Sequence, residues 1–385
     1  MRCGYTPLSL CSIFIKMLYG TAQVNGRGRV PASTEDRFVI RRLMETSTCD
    51  LFAVFDGHAG AGVVNATVEL LPRRIQRALE AAGPNILRQP SQIEQILRTA
   101  FIEHDKELAS IISRVGDSGS TASLAIVTPT HIIMAYIGDS PAFLIDPVSG
   151  ILLSEIGKHE PTLATETARI LKGGGTVEID EYGTPRVDGN LMVSRAFGDF
   201  SMKWDEGAPP PFQSMDWTAM KVTALPDTVV WLRPKHGVLA LMSDGLVETD
   251  NGPSKPIADI ARAVHGALKR RSYNLPFAAE DVLRAHVQAS VGSSRAKYDG
   301  DDLTLVLVDV GLNLTDAGAV EAGDAAARAA ALAAAANRPR SRKVVRGRRG
   351  KTGKRNRITK IFLTSGVSNG EGSGAAAAIL PSVPA

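Results

Sequence analysis

The longest regular pattern in the chain is helical. In "SQIEQILRTAFIEHDKELASIISRVG" the apolar residues Ile93, Ile96, Leu97, Ala100, Phe101, Leu108 and Ile111 recur every three or four positions, which gathers them on one face of an α-helix. Ser91 and Glu94 have the spacing of a capping box at its start. "SKPIADIARAVHGALKRR" and "PFAAEDVLRAHVQASVG" repeat the pattern, the latter closing at Gly292. Short apolar runs predict strands at 51–55 ("LFAVF"), 121–127 ("TASLAIV"), 131–137 ("HIIMAYI"), 142–145 ("AFLI"), 238–242 ("VLALM") and 303–310 ("LTLVLVDV"). The small connections "TPT" (128–130) and "GDSP" (138–141) suit antiparallel hairpins. Together these patterns predict sheets faced by helices.

Beyond Gly311 the alternation stops. Residues 311–337 run into "DAAARAAALAAAAN", which has high helix propensity and little large apolar surface, so a helical spacer is expected there. The stretch 338–360 holds 12 Lys or Arg and no acid. The whole chain has 44 basic and 40 acidic residues, so the remainder has 32 against 40, a balance of −8. A mildly acidic body thus carries a basic tail (338–385), expected to be disordered for want of core-forming residues. Such a tail suits a nuclear address read by import machinery, salt-sensitive and sequence-independent binding to nucleic acid, or docking on acidic proteins or lipids.

With 385 residues and 44% hydrophobic content, the chain can bury one large core or two ordinary ones. Residues 1–23 are read as an N-terminal extension and 24–310 as the folded body. Lys16 interrupts the early apolar stretch and no small-residue cleavage site follows, which argues against a targeting peptide. No run approaches the roughly 20 apolar residues of a bilayer span. Cys3, Cys11 and Cys49 are too few for a disulfide framework, so a reducing, intracellular setting in cytoplasm or nucleus is expected, with a monomer as the default.

The strands end in acids. "LFAVF" runs into Asp56, "IIMAYIG" into Asp139 and "VLALMS" into Asp244, while Asp299, Asp301 and Asp302 precede the last strong strand. One such acid would be an ordinary turn residue; four sites point to carboxylates gathered around hard divalent cations that relieve their repulsion. No Cys or His pair has zinc-ligand spacing, so all-oxygen ligation favours Mg²⁺ or Mn²⁺. Gly57 lets the backbone approach an ion. His58, beside that centre, is suited to donate a proton to a leaving alkoxide. His104, His131 and His159 lack metal-type partners and read as structural, and "GGG" (173–175) reads as a helix stop.

These features stand within ordered motifs: "TEDRF" (34–38), "FAVFDGHAG" (52–60), "DSGSTASLAIV" (117–127), "AYIGDSPAFLI" (135–145), "KHEPTLATETARILKGGGTV" (158–177), "GTPRVDGNLMVSRAFGDFSMK" (183–203), "LALMSDGLVET" (239–249) and "DGDDLTLVLVDV" (299–310). In that order they resemble the metal-dependent serine/threonine protein phosphatases of type 2C. The resemblance implies an α+β fold, a four-layer αββα sandwich of two mostly antiparallel sheets flanked by helix pairs, with two divalent cations at one edge. It implies that Asp56 bridges both metals, that the Gly57 carbonyl binds one, that Asp244 and Asp301 hold the other, that Glu35 acts through metal-bound water, and that Asp139 contributes to a third, weaker site. In the implied mechanism a metal-bridging water attacks the phosphorus in line and His58 protonates the departing seryl or threonyl oxygen.

Several positions depart from the family pattern. Pro31 stands where an Arg usually binds substrate phosphate; Arg29, or Arg27, serves if the turn carries an insertion, and Arg29 is the preferred candidate. Glu248 replaces an Asp, Asp302 an Asn, and Pro141 the Arg after "GDS"; Lys158 and Glu160 exchange the usual charges. The missing Arg leaves open a catalytically weak pseudophosphatase that binds phosphoproteins as a scaffold. Residues 206–220, with Pro209 to Pro211 near Trp204 and Trp217, occupy the family's flap and read either as a peptide-facing edge or as a loop packing its aromatics locally.

Overall fold

A computed structural model of the chain describes residues 17–26, 34–44, 48–204, 215–248, 254–291 and 300–312, and the backbone of 361–367. The strands are β1 (Leu18–Val24), β2 (Arg37–Arg42), β3 (Asp50–Phe55), β4 (Gly57–His58), β5 (Gly119–Ser120), β6 (Ala122–Val127), β7 (His131–Ile137) and β8 (Ala142–Ile145) in the first half. They continue with β9 (Leu152–Glu155), β10 (Val177–Ile179), β11 (Pro185–Val187), β12 (Phe197–Gly198), β13 (Asp227–Leu232), β14 (Val238–Met242), β15 (Leu303–Asp309) and β16 (Ile361–Val367). The α-helices are α1 (Gly62–Ala82), α2 (Pro90–Ser110), α3 (Ile112–Val115), α4 (Ala164–Lys172), α5 (Ile257–Arg270) and α6 (Leu275–Val291). No helix among the described residues is long and apolar enough to cross a membrane.

Two antiparallel sheets dominate, one ordered β16-β1-β15-β14-β8-β9 and the other β13-β7-β6-β3-β2. The near-continuous apolar character of the central strands follows from their having two buried faces. In β3, Leu51, Ala53 and Phe55 pack toward α1 and α2, while Phe52 and Val54 point into the space between the sheets. In β15 the alternation is repeated: Leu303, Leu305 and Leu307 face α5 and α6, and Val306 and Val308 face the other sheet. Three cores therefore separate four layers, helix pair, sheet, sheet, helix pair, as the family resemblance implies.

The differences from expectation are local. α2 begins at Pro90 with no side-chain cap; proline needs no N–H partner in the first turn, and Glu94, expected in a capping box, instead accepts from the Thr228 hydroxyl at 2.8 Å. α1 had no counterpart in the predicted elements, because Gly62 at its start and Pro72 within it blur the periodicity. Leu18–Gln23, read as part of an extension, lie in β1, which pairs with β15 near the middle of the sheet. Within 338–385, expected to be disordered, Ile361–Val367 form β16, an outer strand against β1; "IFLTSGV" is β-prone, and the free edge of β1 offers unpaired backbone groups. The spacer expected at 311–337 and the basic run 338–360 lie outside the described residues, apart from Gly311 and Leu312.

Beside the sandwich sits a lobe made of α4 and the β10–β11 hairpin, with its own small core of Ile170, Val187, Val193, Ala196 and Val222. α4 ends at Lys172 with Gly173 as its cap, as the "GGG" stop predicts. A buried carboxylate anchors the lobe: Glu166, 2% exposed, accepts from Arg169, Arg195 and Ser194. Arg195 in turn reaches Asp227 at the start of β13. Trp217 is buried and meets Trp204 edge to face, and Trp204 stacks on Phe200, so these aromatics pack locally; residues 205–214 lie outside the described residues.

Candidate active site

The acids that end separate strands converge at one end of the sandwich. Asp56 follows β3, Asp139 lies between β7 and β8, Asp244 opens a short 3-10 turn after β14, and Asp301 precedes β15. Asp56 and Asp244 meet side chain to side chain. Carboxylate oxygens of Asp244, Glu248 and Asp301 lie within 4.8 Å of one another. The Asp56 backbone is pinned by Thr121, whose hydroxyl accepts from the Asp56 N–H at 3.2 Å and whose N–H donates to the Asp56 carbonyl at 2.9 Å. Gly57 is required by space: a Cβ there would lie 2.7 Å from the Glu35 carbonyl oxygen. Glu35 is held by the Gly60 N–H, which donates to its Oε1 at 2.7 Å.

The electrostatics of this cluster are unfavourable without cations. Burial and then the charge of Asp244 push the Asp56 carboxyl well above its usual range, and burial with Asp139 and Glu248 does the same to Asp244. Asp139 is pushed up to about 6, chiefly by burial and Glu248. Asp36, beneath the cluster, is pushed up to about 7 by burial, with Asp302 and Asp301 adding to the effect against hydrogen bonds from Ser243 and Thr304. So many neighbouring carboxylates cannot all ionise at neutral pH unaided. Asp244 Oδ1 is buried and accepts no hydrogen bond, which marks an oxygen aimed at something other than protein. An all-oxygen donor set with an orphaned carboxylate oxygen fits hard divalent cations.

His58 is presented by a three-stranded miniature sheet ordered β12-β5-β4. The strand pairings bring it to Asp199, which follows β12: His58 Nε2 stands 2.9 Å from both carboxylate oxygens. Asp199 adopts a left-handed conformation with φ 48°, uncommon for a residue with a side chain. Burial alone would lower the His58 pKa, but the Asp199 hydrogen bond and charge, with Asp139 and Glu35, outweigh it and raise the net value. Behind the pair lies a fully buried ion pair, Lys203 Nζ to Asp105 Oδ2 at 2.5 Å, and Asp105 Oδ1 also accepts the Gly198 N–H.

The structure thus brings together Asp56, Gly57, His58, Glu35, Asp139, Asp244 and Asp301. Arg29 lies outside the described residues. Arg37, at the rim, donates to the carbonyls of Thr34 and Asp36 and to Asn65 Oδ1, so its guanidinium braces the turn. Glu248 lies beside Asp244 and Asp301 in the acid cluster. Asp302 accepts from the Gly26 N–H, the Thr34 hydroxyl and the Glu35 N–H, so the carboxylate that replaces Asn ties the Glu35 turn to the end of β1. His104 is buried against the Thr67 hydroxyl and His159 stacks on Tyr136, in agreement with structural roles, and Lys158 pairs with Glu160. Asp36 and Asp199 were not among the predicted site residues. Asp36 could have been found from its place beside Glu35 in "TEDRF"; nothing local marks Asp199 as the partner of a histidine 141 positions away.

Comparison with known proteins accords with this geometry. Residues 23–289 match the family model for protein phosphatase 2C. The chain is 32% identical over 247 residues to "Probable protein phosphatase 1N" of Homo sapiens, across 61% of this chain and 53% of that protein. It is 30% identical over 251 residues to "Probable protein phosphatase 2C 56" of Oryza sativa subsp. japonica, across 63% and 65%. The chain spans about half the length of the human and mouse relatives it matches. Among solved structures, a phosphatase from a pathogenic strain of Toxoplasma gondii superposes with a TM-score of 0.62 at 20% identity, covering 77% of this chain and 94% of that one. A Caenorhabditis elegans sex determining protein gives 0.59 at 18% identity, covering 77% and 65%; at these identities the likeness concerns the fold. The family model covers well over half of the sequence, and the chain belongs to the protein phosphatase 2C family.

Proposed function

We propose that the protein is a metal-dependent serine/threonine phosphatase that hydrolyses phosphoserine and phosphothreonine in protein substrates. The observation that carries this reading is the gathering of Asp244, Glu248 and Asp301, with Asp56 side chain to side chain with Asp244 and one Asp244 oxygen buried without a partner, near a histidine whose pKa is raised. Asp56, the Gly57 carbonyl, Asp244 and Asp301 would hold two divalent cations, Mn²⁺ or Mg²⁺, with Glu35 supporting them and Asp139 and Glu248 serving a weaker third site. When bound, such cations supply Lewis acidity toward the phosphoryl oxygens and a water activated for direct attack.

The chain's own residues do the rest. Asp199 accepts a hydrogen bond from the Nε2–H of His58, which leaves Nδ1 as the nitrogen that would give a proton to the departing seryl or threonyl oxygen. The raised pKa favours the imidazolium form. The Thr121 hydrogen bonds and the glycine at 57 hold the Asp56 backbone in place without rearrangement during turnover.

Release of phosphate from a phosphothreonine peptide in the presence of Mn²⁺ tests the reading. Turnover is expected, and Asp56→Asn should reduce it by at least about a hundredfold. Equal rates for the two proteins would leave a phosphoprotein-binding scaffold, the alternative raised by Pro31, as the better account.

A further inference from the structure

A cleft of about 940 Å³ opens directly from the acid cluster. Asp139, Asp244 and Glu248 form one end. Its apolar walls come from three sources: Pro141, Leu152 and Ile156 along β8 and β9, Pro185 and Met192 on the lobe, and Ile257 at the start of α5. Met192 is 38% exposed and Leu152 and Ile156 are half-buried, so apolar surface lies uncovered beside the reaction centre. Two basic side chains of the lining have partners within the protein. Lys158 pairs with Glu160, and Lys255 lies 2.9 Å from His286 Nδ1.

The lobe wall is held in place, because Glu166 ties α4 to Arg195 and Arg195 ties that segment to Asp227 on the sandwich. Pro141 presents neither a charge nor an N–H at the point where the wall meets Asp139. A phosphoryl group that reaches the acids carries its flanking residues into this space, since an extended peptide advances roughly 3.3 Å per residue. The volume falls within the roughly 300–1,000 Å³ of ordinary ligand sites.

We propose that the cleft is a subsite for an apolar side chain of the protein substrate, within about three residues of the phosphorylated serine or threonine. The inference rests on the reading of the acid cluster as the phosphate site.

The test uses the full chain with Mn²⁺ and two fluorescent peptides carrying a non-hydrolysable phosphonate analogue of phosphothreonine, one flanked by leucines and the other by lysines. Anisotropy should show the leucine peptide binding about tenfold more tightly. Met192→Lys should abolish the difference and Met192→Leu preserve it; Ile257→Lys, on the opposite wall, should reproduce the loss. Equal affinities for the two peptides, binding of neither, or a preference unchanged in both lysine variants overturns the subsite. Turnover of 4-nitrophenyl phosphate by the unaltered chain is followed in parallel. Its absence alongside a retained leucine preference defeats the phosphatase reading and leaves the subsite standing; turnover without the preference does the reverse.

Discussion

His58 and Asp199 face each other across a miniature sheet, with one imidazole nitrogen equidistant, at 2.9 Å, from both oxygens of the carboxylate. Asp199 is a positioning residue in this arrangement, and it also opposes the effect of burial on the His58 pKa. Asp199→Asn removes the negative charge and leaves a similar shape. The expected result is a kcat lower by about tenfold to a hundredfold. Because the charge holds the His58 pKa up, its loss should also move the alkaline limb of the kcat profile to lower pH. A profile that drops without shifting would count against the proton-donor role.

Gly119 lies opposite this pair, and a Cβ there would stand 2.1 Å from His58 Nε2 and 2.2 Å from Asp199 Oδ2. Both neighbours are side-chain tips, so they can be displaced at moderate cost. Gly119→Ala is therefore expected to cost about 1–3 kcal/mol of stability but to reduce turnover more than tenfold, roughly the scale set by losing general acid catalysis. Denaturant titration beside steady-state kinetics separates the two effects.

The crowded carboxylates make a distinctive prediction for the metal-free protein. An acid whose folded pKa is raised stabilises the fold below its unfolded value, near 3.8, and that contribution is lost as pH rises through the folded value. For Asp139 and Asp36 those folded values are about 6 and about 7. Stability without metal should therefore fall between about pH 4 and 7 on account of these groups. Divalent cations remove the repulsion, so the gain in Tm on adding Mn²⁺ should grow across the same interval. A gain independent of pH in thermal melts would contradict the convergence of acids.

Glu166 behaves in the opposite sense. Burial raises its pKa, but hydrogen bonds from Arg195 and Ser194 and the charges of Arg169 and Arg195 dominate, and the carboxyl is lowered from 4.5 to about 2. That difference corresponds to about 3 kcal/mol, present above pH 4.5 and lost as pH falls through the folded value. Glu166→Gln should be destabilised by about that amount at pH 7, with the gap to the unaltered chain closing between pH 4.5 and 2. Urea titrations at several pH values measure it.

Much of this architecture was legible in the sequence because buried faces leave periodic traces. β3, β14 and β15 read as largely apolar runs since each has a packed layer on both sides, and the acids that flank them stand out against that background. α1 was not legible, as Pro72 interrupts its pattern. β1 escaped notice because "LYGTAQV" mixes small and polar residues, although it is paired on both sides in a sheet. The His58 to Asp199 contact and the role of Asp302 in holding Glu35 depend on how distant segments fold together. Periodicity carries no record of such meetings; only the motif order hinted at them.

The pairing of β1 with β15 joins Val24 to Leu303 and Tyr19 to Val308. A nascent chain leaving the ribosome therefore holds its first sandwich strand without a central neighbour until almost the whole body has been synthesised, and Asp301 arrives with that same late strand. Premature stop codons upstream of residue 301 should yield products that lack both the strand that joins β1 to β14 and a member of the acid cluster, and such products are candidates for rapid proteolysis rather than for partial activity.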